Sequence, residues 1–113
     1  MTSLSDKQQK FVFLVSQLIA WAYGNGYRMT FGEAYRTPEQ AAINAQKGTG
    51  IANSLHTKRL AVDLNLFKDG QYLTKTEDYA TVGEYWESLD HECAWGGRFR
   101  DGNHFSLSHE GVK

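Results

Sequence analysis

The stretch Ser54-Leu55-His56-Thr57-Lys58-Arg59-Leu60-Ala61-Val62-Asp63-Leu64-Asn65-Leu66-Phe67 carries the strongest structural signal in the chain. It opens polar and then turns apolar from Leu60 to Phe67, a run of strand length rich in residues that suit a sheet. One carboxylate, Asp63, interrupts that run. A carboxylate among buried apolar side chains is costly unless it is paired or binds a cation. His56 stands seven residues earlier. On a straight strand the two side chains would face opposite sides, because the side-chain period is two. They can meet only if His56 lies in a loop before the strand, or if the segment bulges. Gly50, Asn53 and Ser54 just upstream favour the loop.

Working outward, Lys68-Asp69-Gly70-Gln71 carries the Asp-Gly pair of a tight hairpin, and Tyr72-Leu73 begins the return strand. Near the start of the chain, Phe11, Leu14, Val15, Leu18, Ile19 and Ala22 recur at helical spacing. They predict a helix over about residues 6–23, capped by Ser5 with Gln8 as capping box and stopped by Gly24-Asn25-Gly26. Tyr27, Met29 and Phe31 alternate with polar residues as in a half-buried strand. Thr37-Pro38 and Gln40 start a second helix, which runs through Gln46 and stops at Gly48. Gly48-Thr49-Gly50 lacks the third glycine of a phosphate-binding loop and follows a helix, so it reads as a plain loop. Thr76, followed by Glu77 and Asp78, caps a third helix with Tyr79, Val82, Tyr85, Trp86 and Leu89 as its apolar stripe. Trp95-Gly96-Gly97 is a break, and His104-Phe105-Ser106-Leu107 is the last strand. The sum is an α+β fold: a small, mostly antiparallel sheet with about three helices around it.

Zinc in a hydrolytic site takes three protein ligands from His, Asp and Glu and keeps a fourth position for water. His56, Asp63 and His104 supply that number and those types, which makes the sheet a candidate site for one zinc ion. Asp101 precedes His104 across the turn-forming Gly102-Asn103. That turn can set its carboxylate beside the ion, as base toward the water and later as acid toward a leaving amine. Singly, each residue has a plainer reading: a loop histidine is usually surface, and an aspartate entering a strand often bonds backbone. His91, at a helix end, and His109, in a polar tail, compete less well as ligands.

The chain has 113 residues, a length that suits one domain spanning 1–113. A chain this size buries roughly 60 to 70% of its unfolded surface, enough to fold as a monomer without a disulfide. A net charge of -1 with both signs mixed gives no electrostatic reason to expect nucleic acid or an anionic membrane as partner. Lys58-Arg59 and the Arg98/Arg100 pair read as solvated surface. The lone Cys93 reads as a small buried hydrophobe. The apolar run from Phe11 to Tyr23 is too short and too polar to insert in a bilayer. The first ten residues show no cleavable signal, so the expectation is synthesis in the cytoplasm.

These residues resemble a known family. Ser54-x-His56-x-x-x-x-Ala61-x-Asp63, followed by Asp101-x-x-His104, resembles the M15 peptidases of bacterial cell walls. Tyr35-Arg36-Thr37-Pro38-Glu39-Gln40 and Trp95-Gly96-Gly97 resemble further segments of that family, in the same order, so that the likeness runs from about Phe31 to Leu107. The resemblance implies zinc at His56, Asp63 and His104 and Asp101 as the catalytic acid/base. It also implies that Arg36 polarises the scissile carbonyl or binds a substrate carboxylate, and that Ser54 binds substrate. The implied substrate is the peptide stem of peptidoglycan. Many members have Gly where Arg59 stands and Glu where Asp101 stands; both differences resemble the compact phage-type endopeptidases. The expected activity is therefore that of an L-alanyl–D-glutamate endopeptidase serving as a phage or prophage endolysin, acting on the wall after release from the cell. The alternatives are a D-alanyl-D-alanine carboxypeptidase and a wall-binding module without turnover.

Overall fold

The computed structural model describes residues 3–113, in which helices α1 (Leu4–Gly24), α2 (Pro38–Gln46) and α3 (Ala80–Leu89) accompany five strands. These are β1 (Tyr27–Phe31), β2 (Ala61–Lys68), β3 (Gln71–Tyr72), β4 (Cys93–Trp95) and β5 (His104–Leu107). The sheet runs β1-β2-β5-β4, with β3 also on β2, and every pairing is antiparallel. This is the expected α+β architecture. The long strand β2 is its axis: its second half pairs with β1, and Ala61, Val62 and Asp63 pair with Ser106, Phe105 and His104.

Alternation along β2 sends Val62, Leu64 and Leu66 to one face and Asp63 and Asn65 to the other. The first face is the core. Phe11 of α1 and Phe105 of β5 both meet the edge or face of Trp86 of α3, with ring centroids 5.8 and 6.3 Å away. Trp86 is fully buried, and its indole N–H is shared by the carbonyls of Ala94 and Ser106, each at 3.1 Å. One side chain thereby ties α3 to both β4 and β5. Asp63 and His104, paired across the ladder, project from the opposite face.

Several local expectations shift. The cap of α1 is Ser3, two residues before Ser5: its Oγ accepts from Asp6 N at 3.0 Å, and Asp6 closes the capping box. Gln8 cannot serve there, because its amide donates to Lys58 O at 2.7 Å, which ties α1 to the turn carrying His56. Thr37 caps α2 as expected, but Gln40 turns forward to Asn44 and leaves the box half made. Thr76 is not a cap. It begins a 3₁₀ turn, Thr76–Tyr79, and the amide of the preceding residue, Lys75, donates to Asp78. Phe31 lies on the core face but is 70% exposed, because it borders an open groove along Val12 and Val15 of α1 instead of being covered by that helix. β4 was not anticipated, since three residues carry no readable period.

Candidate metal centre

His56 lies outside β2, in a 3₁₀ turn (Leu55–Lys58). Ser54 starts that turn, its Oγ accepting from His56 N at 3.2 Å. Arg59 ends it in the left-handed region, φ 56°, with its guanidinium 4.0 Å over the Tyr35 ring. The turn resolves the seven-residue problem: it swings the imidazole back over the strand it precedes. His56 Nε2 then sits 3.4 Å from Asp63 Oδ1. His104 Nδ1 approaches the same oxygen from β5, at 3.7 Å.

Both imidazoles are buried. Burial pushes the Asp63 carboxyl up, but the His104 and His56 imidazoles beside it outweigh that and hold the group at about 2. Even so, Asp63 Oδ1 is buried without a good hydrogen bond, as is His104 Nε2. An orphaned, ionised oxygen between two imidazoles is what a cation would satisfy. One donor atom from each of the three residues lies within 4.8 Å of the other two. Bonds of ~2.0–2.1 Å at tetrahedral angles place neighbouring ligand atoms about 3.4 Å apart, so the observed spacing fits a zinc ion.

The turn Asp101–His104 is held at both ends. Asp101 N donates to Gly96 O at 2.8 Å, and His104 N to Asp101 O at 3.1 Å. Gly96 has to be glycine, since a Cβ there would run into Asp101 O and His104 Cβ. Trp95 braces the turn through its indole N–H, which donates to Gly102 O at 2.7 Å. The half-exposed Asp101 carboxylate ends 3.8 Å from His104 Nδ1, beside the ligand group but outside it. Burial raises its proton affinity; the His104 charge opposes this and the Asp63 charge adds to it.

The far side is formed by the segment after β1. Gly32 N donates to Asp63 O and Asp63 N to Glu33 O, both at 2.8 Å, while Arg36 N donates to His56 O at 3.2 Å. Arg36 Nη2 bonds Glu33 Oε1, which lies 3.7 Å from His56 Nδ1; Ala34 O is 3.5 Å from the same nitrogen. Glu33 therefore links the arginine to the imidazole. No role for it was read in the sequence. Its one signal is the three-residue offset from Arg36, which fits an ion pair. The other histidines stand elsewhere. His91 is exposed, and its neighbours Asp90 and Glu92, which could form a second acidic cluster with it, are bonded to Lys10 and Lys7. His109 Nδ1 lies 3.4 Å from Lys7 Nζ. Cys93 is buried, and burial pushes its thiol up to about 12, consistent with a small hydrophobe.

A family model of M15 peptidases, described as D-alanyl-D-alanine carboxypeptidase, matches residues 47–107, more than half of the chain. The chain belongs to the M15 peptidase family. As an M15 peptidase it is a zinc-dependent hydrolase, and His56, Asp63 and His104 all fall inside the matched span. Two solved structures share the fold. The L-Ala D-Glu endopeptidase ChiX of Serratia marcescens superposes with a TM-score of 0.73 at 19% identity, over 96% of this chain and 89% of that one. The vancomycin-resistance D,D-pentapeptidase VanY, as an E175A mutant with Zn(II), gives 0.57 at 19% identity, over 87% and 70%. No curated protein matches the sequence. Among the described residues no helix is long and apolar enough to cross a membrane.

Proposed function

We propose that this M15 peptidase is a single domain that hydrolyses the L-alanyl–D-glutamate bond of the peptidoglycan stem, as a monomeric endolysin of phage or prophage type. The observation that carries the hydrolytic reading is the Asp101 carboxylate standing 3.8 Å from His104, next to the His56, Asp63, His104 group without belonging to it. A wall-binding module has no need of that carboxylate. The choice of bond is supported by the fuller superposition on an L-Ala D-Glu endopeptidase and by Arg59 and Asp101, which resemble the compact endopeptidases.

His56, Asp63 and His104 would hold zinc, which when bound polarises a carbonyl and makes water acidic near neutral pH. Asp101 takes the proton of the attacking water and passes it to the leaving amine, and the burial that raises its proton affinity suits the second task. Arg36 binds the scissile carbonyl oxygen or a substrate carboxylate with its rigid fork, aimed by its bond to Glu33. Ser54 spends its acceptor on His56 N; its hydroxyl proton is left for substrate.

The test is digestion of purified murein, with chelator and after zinc is restored, the new termini being identified by mass spectrometry. The expected products expose the amine of D-glutamate, and Asp101→Asn gives none. Release of free D-alanine alone would instead support the D,D-carboxypeptidase reading, which the family model's description favours. No metal-dependent product from the zinc-loaded protein would overturn both.

A further inference from the structure

A second feature borders the catalytic turn. A hollow of about 250 Å³ is lined by Tyr72, Lys75, Thr76, Tyr79, Arg100 and Asp101, among others. Its wall exists because the turn touches the 3₁₀ segment: a Cβ on Gly102 would lie 2.8 Å from Thr76 Cα. Two cations share this hollow with a single carboxylate, that of Asp101.

Those cations differ from most others in the chain. Lys7, Lys10, Arg36 and Arg98 are in ion pairs, and Arg28, Arg59 and Lys68 lie over tyrosine rings. Among the described residues neither Lys75 nor Arg100 has an acidic partner within 4.0 Å. Arg100 is also held in the left-handed region, φ 65°, which strains a non-glycine residue. Glycine would take that conformation freely, yet an arginine stands here, in the wall of the hollow.

Asp101 gives the hollow a direction. The group that hands a proton to the leaving amine lies on the leaving-group side of the scissile bond. Arg36, by contrast, sits with Glu33 and His56, none of which lines the hollow. We infer that Lys75 and Arg100 form a subsite for a free carboxylate on the residue that follows the scissile bond. This rests on the proposed peptidase reading and deepens it by naming the chemistry required of the leaving half.

The probes are two peptides, L-Ala-γ-D-Glu-L-Lys, whose glutamate keeps a free α-carboxylate, and the same peptide with that carboxylate as its amide. Binding is measured by calorimetry on zinc-loaded Asp101→Asn protein, so that nothing is cleaved. Two exposed charge pairs give the acid an advantage of roughly two- to thirtyfold. Adding Lys75→Gln and Arg100→Gln is expected to abolish that advantage, whereas Lys47→Gln, away from the hollow, preserves it. Equal binding of the two peptides, binding of neither, or an advantage that survives the double substitution would overturn the subsite. If the advantage is present and lost as expected, yet the wild-type protein cleaves neither peptide, the subsite stands and the assigned bond falls.

Discussion

Substituting Gly83 by alanine sets two physical rules against each other. Gly83 lies inside α3, where alanine is favoured over glycine by up to about 1 kcal/mol. Helix propensity alone therefore predicts a more stable protein. Packing predicts the reverse. The Trp95 indole lies flat against Gly83, and an added Cβ would overlap its Cγ, Cδ2 and Cε2 atoms. The ring has no room to retreat, since Gly97 presses on it too, and its N–H is committed to Gly102 O at 2.7 Å. Overpacking of this kind costs roughly 1–3 kcal/mol, and a displaced buried hydrogen bond about 1 kcal/mol more. Against a propensity gain of at most about 1 kcal/mol, the net loss is about 2 kcal/mol. For a domain this size that lowers Tm by roughly 6–10 °C. Thermal unfolding of the metal-free protein, followed by far-UV circular dichroism, measures it. Gly24→Ala at the end of α1, where a Cβ meets nothing within 4 Å, is the control and should leave Tm unchanged or slightly higher. A Gly83→Ala protein that melts at or above the wild type would refute the packing argument, and with it the claim that Trp95 braces the Asp101–His104 turn from α3.

Other outcomes follow from particular contacts. Glu33→Gln keeps the fold but loosens the link between Arg36 and His56, so zinc affinity, read by chelator competition, should fall about 10- to 100-fold. Trp86→Phe strips the shared donor from two buried carbonyls and should cost ~3 kcal/mol in urea unfolding, with the slope unchanged. Glu87 is pushed up by burial but pulled further down by Arg98 and the Trp95 amide, so its folded value lies below 4.5. Its stabilisation is present above that pH and lost as pH falls through the folded value. The Tm gap between metal-free wild type and Glu87→Gln should therefore be positive near pH 6 and shrink below about pH 4.5.

Much of this centre was legible from the sequence because it is built on β2. An apolar strand broken by one carboxylate announces a charge that needs a partner, and the seven-residue gap forces His56 into a turn. The structure supplies that turn and the register partner His104. What was not legible depends on contacts between distant segments. Glu33 gains its place only because the chain after β1 runs alongside Asp63 and His56. Gln8 looked like a capping residue until Lys58 O, fifty residues away, competed for it. The cations read as surface divide in the same way. Arg98 pairs with Glu87 and Arg59 stacks on Tyr35, while Arg100 lines the hollow with Asp101. Sequence periodicity sees faces of elements; it does not see which element ends converge.

The most direct test of the account is zinc content per chain, by mass spectrometry of the native protein after dialysis against a weak chelator. The account predicts one zinc in the wild type and in Asp101→Ala, and none in His56→Ala, Asp63→Ala or His104→Ala. Full zinc content in any of those last three, or none in the wild type, would contradict it.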